Sequence, residues 1–149
     1  MTRTADECVR RFSYFEGTAM GKIEIRPAVM QDLPDILALY GVLDRELVAM
    51  QPEFFCAAPR SEQDTAAALA DANAVFLLAV QDGAAVGFAL VEYAGWTPEF
   101  SCVLPHRYAR LSDLVVAPAQ RGQGIGSALL GAAKRWARDR RLEYLELNV

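Results

Sequence analysis

Histidine is nearly missing from this chain of 149 residues: His106 stands alone, which excludes an imidazole-based metal cluster. Any Ser-His-Asp or Cys-His arrangement would rest wholly on that one residue. Cysteine is almost as scarce. Cys8, Cys56 and Cys102 are odd in number, far apart and outside any C-x-x-C, which argues against a disulfide framework and against zinc, so ordinary reduced thiols are expected. No apolar run approaches the roughly 18 residues that cross a bilayer. The opening MTRTADECVRRFSYFEG also lacks the apolar centre of a secretory signal, so a cytoplasmic location with no membrane partner is the expectation. An excess of positive charge is lacking too. With 15 Lys and Arg against 19 Asp and Glu, the formal charge of −4 provides no general attraction for nucleic acid and weakly favours a cationic small molecule or a basic protein amine.

What remains is a chain of globular composition, 53% hydrophobic and 23% charged, long enough for one domain with a real core. Residues 1–22 match no periodic template and read as an arm or extension, punctuated by Gly17 and Met20-Gly21. A first strand is expected over Ile23 to Ala28. Asp32 then reads as a helix N-cap with Pro34 in the first turn, followed by Ile36, Leu37, Tyr40 and Leu43 at helical spacing. QPEFFCAAPR breaks that pattern, and Ser61-Glu62-Gln63-Asp64 opens a second helix. Val75 to Gln81 and Ala85 to Tyr93, separated around Asp82-Gly83, predict an antiparallel hairpin. A loop containing His106 precedes a strand over Tyr108 to Val116. The helix expected over Gly124 to Arg140 carries Ile125, Leu129, Ala132, Ala133, Trp136 and Ala137 on one face. Its basic residues Lys134, Arg135, Arg138, Arg140 and Arg141 read as a solvated face near the helix C-terminus. A last strand is expected over Leu142 to Val149.

Chemistry concentrates at residues 111–130, LSDLVVAPAQRGQGIGSALL, in the order strand, glycines, helix. Glycines allow positive φ and close approach of a ligand, while the first turn of a helix leaves N–H groups unpaired at its positive end. Together they suit a phosphate or pyrophosphate. A Walker A loop is rejected, because Gly126 is followed by Ser127-Ala128-Leu129 rather than Lys and Ser or Thr. A dinucleotide fingerprint fits weakly, since it needs glycine where Ser127 stands and an early βαβ unit, whereas this loop lies behind a hairpin.

Arg121-x-x-Gly124-x-Gly126 resembles the acetyl-CoA signature Arg/Gln-x-x-Gly-x-Gly/Ala of the GNAT superfamily, with Leu114-Val115-Val116-Ala117-Pro118 and Ser127-Ala128-Leu129-Leu130 flanking it at the family's spacing. With the upstream order of strand, two helices, hairpin and strand, the resemblance spans residues 23–149. It implies an α/β (α+β) domain with a mixed, mostly antiparallel central sheet and helices on both faces. It also implies N-acetyl transfer from acetyl-CoA to a primary amine of a small molecule, peptide or protein, without a metal. Main-chain groups of Leu114, Val115 and Val116 would pair with the pantetheine arm, and the segment Arg121, Gly122, Gln123, Gly124, Ile125, Gly126 and Ser127 would hold the pyrophosphate. The strand ending at Val116 and the last strand would splay to admit the cofactor, with an amide such as that of Val116 polarising the thioester carbonyl.

Amine attack needs a neutral nucleophile and hence a base. Asp113, just before the cofactor-binding residues, and Glu92, near the end of the hairpin, are the candidates. Strand alternation sets Asp113 opposite Leu114, which also admits a solvent-facing role. Tyr93, Trp96 and Phe100 are candidate walls of an acceptor pocket, and a catalytic role is not expected of His106. The resemblance further implies, beyond LEYLELNV, a helix bearing a Tyr that protonates the leaving thiolate and then a hairpin. On that basis the domain is expected to be truncated after its fifth strand, with a homodimer as one way to cover the open sheet edge. A non-catalytic acetyl-CoA-binding module is the alternative function.

Overall fold

The structure, a computed structural model, describes residues 22–96 and 99–147, with the backbone alone at Trp96. Apart from Lys22 the expected arm lies outside the described residues, as do Cys8 and the last two residues of the expected final strand. In chain order the elements are β1 (Ile23–Pro27), a 3-10 turn (Met30–Asp32), α1 (Leu33–Met50), α2 (Glu62–Ala70), β2 (Ala74–Gln81), β3 (Ala84–Trp96), β4 (His106–Val116), a second 3-10 turn (Pro118–Gln120), α3 (Ile125–Asp139) and β5 (Leu145–Leu147).

Local chemistry accounts for most of the boundaries. Pro34 sits in the first turn of α1, where its missing N–H costs no hydrogen bond. Asp32 stands before that helix but does not cap it: its carboxylate turns back, accepting from Val29 N at 2.8 Å and from both ends of the Arg26 guanidinium at 2.7 and 2.8 Å. The expected forward cap is therefore replaced by a clasp onto β1, because a bidentate guanidinium outbids a neutral amide for the same oxygens. Ser61 does cap α2, its Oγ accepting from Asp64 N at 3.1 Å. Asp82 and Gly83, at φ 51° and 81°, give the β2–β3 hairpin the paired positive dihedrals of a type I′ turn.

The five strands lie in chain order, β1 to β4 antiparallel and β5 parallel to β4. β3 and β4 are longer than the periodicity suggests, so His106 belongs to a strand rather than to a loop. β5 is shorter. Its expected start at Leu142 is taken by the end of α3, where Arg141 N bonds Arg138 O at 2.9 Å and Leu142 N bonds Ala137 O at 3.0 Å. This is a Schellman ending with Arg141, rather than glycine, in the left-handed position at φ 55°. An amide bound to a helix carbonyl is not free to join a sheet.

Helices cover both faces. On one side Ile36, Leu39 and Tyr40 of α1 pack on Phe76, Leu78, Phe88, Leu90 and Val115. On the other, the expected α3 stripe of Ile125, Leu129, Ala132, Ala133, Trp136 and Ala137 is wholly buried against Leu77, Ala79, Ala89, Val91, Ala109 and Leu111. Burial on both faces explains why β2 and β3 read as continuous apolar runs. Of the basic residues of α3, Arg135 is half-buried and the Arg140 guanidinium lies 4.3 Å from the Trp136 ring centroid, so the expected solvated face is partly a packed one.

Candidate functional site

Two irregularities of β4 shape the site. In the first, Val91 pairs with Leu111 but Leu90 pairs with Asp113, so Ser112 is an extra residue in the ladder. Leu111 consequently faces α3, while Asp113 and Val115 face α1. The second is on the other side of the strand. There β5 pairs only along Ala109 to Leu111, and beyond that point β4 has no neighbour among the described residues.

Peptide direction alternates along a strand, and Ala117 N donates to Val86 O on β3 at 2.8 Å. The N–H groups of Leu114 and Val116 therefore point to the open edge, while the Val115 peptide is turned to β3 and its side chain is buried. Of the three strand residues in the sequence signature, two offer main chain to a ligand and the third is structural.

The glycine loop closes the same end. Gly122 and Gly124 have φ of 78° and 82°, and an added Cβ at either would meet nothing within 4 Å. Gly124 is the N-cap of α3 without any side-chain partner, leaving the first-turn amides bare. A Cβ at Gly126 would find only Val116 Cγ2, at 4.0 Å. A groove of about 490 Å³ runs from Leu114, Val115 and Val116 past Gln120, Arg121, Gly122 and Gly124 to Ile125, Gly126 and Ser127, with Leu43 and Glu46 of α1 on its far wall. Gln123 lies outside that lining and accepts from Gln81 Nε2 at 3.2 Å. Ile125 is buried, so it can address the groove through its backbone alone. Arg121 donates from Nε to Val116 O at 2.9 Å and pairs with Glu46 at 2.8 Å. The arrangement can hold an elongated anionic ligand, with bare amides at one end and a strand edge along its length.

Beside the groove, on the α1 face, lie the two candidate carboxylates. Asp113 Oδ2 accepts from the hydroxyl of buried Tyr40 at 2.8 Å. Glu92, on the same face, accepts from Ser112 Oγ. Burial first, and then the Asp113 charge, push the Tyr40 hydroxyl well above the usual phenol range, so it stays protonated and donates to Asp113. Tyr93 and Phe100 are exposed, and the Trp96 side chain lies outside the described residues. His106 Nδ1 lies 2.7 Å from Glu143, and this contact, with the Arg107 amide, holds the Glu143 carboxyl below the usual carboxylate range. Arg110 pairs with Glu146 at 3.0 Å and Tyr108 stacks on Tyr144 with centroids 4.8 Å apart, so this group stitches β5 to β4 away from the groove. The described residues hold no cluster of His, Cys, Asp or Glu suited to a metal ion and no helix long and apolar enough to cross a membrane; Cys56 and Cys102 are exposed free thiols.

Sequence reasoning missed Tyr40, Glu46 and Gln120. Tyr40 and Glu46 carry no motif, and they reach the site only because α1 packs across β4.

A mixed sheet whose β4 edge opens beside a glycine loop and an uncapped helix start is an arrangement that can take a long anionic ligand. Residues 40–149 match the model of the acetyltransferase (GNAT) family, and the chain belongs to that family, whose proteins use acetyl-CoA. Streptothricin acetyltransferase of Streptomyces lavendulae is 36% identical over 80 residues, a match spanning 53% of this chain and 38% of that protein. A mutant form of the BH1408 protein of Bacillus halodurans superposes with a TM-score of 0.78 at 22% identity, covering 84% of this chain and 81% of that one. An aminoglycoside acetyltransferase from an uncultured soil metagenomic sample, solved with sisomicin, gives a TM-score of 0.60 at 20% identity, over 85% and 77% of the two chains. Both superpositions show the shared fold.

Proposed function

We propose that this chain transfers an acetyl group from acetyl-CoA to a primary amine of a small molecule or peptide, with the groove between β4, the glycine loop and α1 as its cosubstrate site. One observation carries the reading: the open main-chain edge at Leu114 and Val116 runs straight into the bare first turn of α3, so a single groove offers strand-like pairing at one end and anion binding at the other. The fit is supported by Gly122, Gly124 and Gly126, none of which is crowded by protein, so their missing side chains leave room for a ligand.

Acetyl-CoA, when bound, supplies an acyl carbon activated as a thioester. The amides from Gly122 to Ser127 hold its diphosphate, and the Val116 N–H is available to the carbonyl oxygen. Asp113 takes a proton from the acceptor ammonium, directly or through water; the freed nitrogen lone pair would form the C–N bond as the C–S bond breaks, and the second proton shed by that nitrogen would pass through solvent to the departing coenzyme A thiolate. Glu92 adds a second negative charge on the same face and favours an acceptor with more than one cationic group. The names of the streptothricin and aminoglycoside enzymes point to acceptors of that type. The test is thiol release from acetyl-CoA with a panel containing streptothricin, an aminoglycoside, a lysine-bearing peptide and simple primary amines. Sustained release above hydrolysis with at least one amine is expected; binding of acetyl-CoA without release would instead make the chain a non-catalytic module.

A further inference from the structure

Tyr40 is the buried polar side chain that links all the elements around the carboxylates. It sits on α1 with 4% of its surface exposed, held edge-on by Phe88 at 4.8 Å and Phe76 at 6.3 Å between ring centroids. The guanidinium of Arg60, from the segment before α2, lies 4.4 Å from its ring centroid. Arg60 is itself fixed by Asp44, one turn beyond Tyr40 on α1, through contacts of 2.7 and 2.9 Å. The ring is thus clamped, and among the described residues its hydroxyl bonds to Asp113 Oδ2 on β4. Asp113 Oδ1 has no protein partner among the described residues.

We propose that Tyr40 is a positioning residue for acceptor deprotonation: it ties down one oxygen of Asp113 and leaves the other presented to the acceptor amine. This rests on the reading of Asp113 as the base. An aspartate on a strand has two rotatable side-chain bonds, and proton transfer demands that the accepting oxygen be held within a fraction of an ångström of its working position. A donor that stays protonated across the working pH range does this without competing for the substrate proton. Arg60 and Asp44 act one step further out, by holding the ring that holds the carboxylate.

A buried tyrosine hydroxyl always needs a partner, so a purely structural role for the bond is the rival reading. The two separate in a double-mutant cycle read by steady-state thiol release, with acetyl-CoA and whichever panel amine is turned over fastest. Tyr40→Phe keeps the ring and its aromatic contacts. It is expected to lower kcat about tenfold with the KM for acetyl-CoA unchanged. In an Asp113→Asn background the same substitution should change kcat by less than about twofold, because there is no longer a base to position. An equal fall in both backgrounds, or no fall in the otherwise native protein, overturns the proposal. If Asp113→Asn alone leaves kcat intact, the assignment of Asp113 fails and the positioning role with it; no release with any amine removes the transfer reading itself.

Discussion

Arg121 and Glu46 meet across the mouth of the groove, Nη2 to Oε1 at 2.8 Å, so the arginine of the glycine-loop signature is already engaged by a carboxylate on α1. The pair is substantially solvent-exposed and contributes little to stability by itself. Under the proposed cosubstrate reading the pair matters for binding, because Glu46 lines the same groove as the glycine loop and the first turn of α3. Replacing Glu46 by Gln removes a like charge facing the diphosphate and leaves Arg121 free to turn toward it. Coenzyme A should bind roughly three- to tenfold more tightly to this variant by calorimetry at low salt, with the gain shrinking as ionic strength rises.

The three loop glycines are not equivalent. Gly124 has φ 82°, so a side chain there strains the backbone at a cost of roughly 1–2 kcal/mol before any ligand is considered. Gly126 is helical, and an added Cβ meets only Val116 Cγ2 at 4.0 Å. Gly126→Leu should therefore leave the melting temperature within a few degrees of the native value while reducing acetyl-CoA binding at least about a hundredfold, an effect of roughly 3 kcal/mol by calorimetry. Unchanged affinity in that variant would remove the cosubstrate site from this groove.

Asp32 carries the acid sensitivity of the α1 entrance. The hydrogen bonds from Arg26, with the Val29 amide, hold its carboxyl below the usual carboxylate range despite burial. A folded-state pKa below the unfolded one means that the stabilisation is present above the usual carboxylate range and is lost as pH falls through the folded value. Asp32→Asn should cost roughly 2 kcal/mol in urea unfolding at neutral pH, and the curves of variant and native protein should converge in strong acid.

Arg141 closes α3 in the left-handed region at φ 55°, a place where glycine carries no Cβ penalty. Arg141→Gly should stabilise the domain by about 0.5–1 kcal/mol, read as a rise in the urea midpoint at constant slope.

Much of the frame was legible because its signals are local. Asp82-Gly83 announces a hairpin within two residues, the α3 stripe repeats at the helical period, and the glycine loop sits where strand becomes helix. Less visible were features created by distant pairing. Tyr40 meets Asp113 across 73 residues and Arg121 meets Glu46 across 75, and nothing near either α1 residue marks it as part of a site. Boundaries failed for a similar reason. His106 entered β4 and Leu142 left β5 because the first pairs with Trp96 on β3 and the second gives its amide to Ala137, choices made by tertiary neighbours rather than by propensity. Asp32 was found but given the wrong partner, since a charged neighbour on β1 outweighed the amides of its own helix.

Ser112, the surplus residue in β4, sets the phase of everything after it. Were Ser112 paired in the regular ladder instead of bulged out of it, the residues from Asp113 to Val116 would exchange faces: the carboxylate would be driven into the apolar layer beneath α3, Val115 would leave its core, and the amides now turned to the open edge would be turned to β3. One bulged serine thus divides β4 into a half that reaches β5 and a half left with an edge of its own among the described residues.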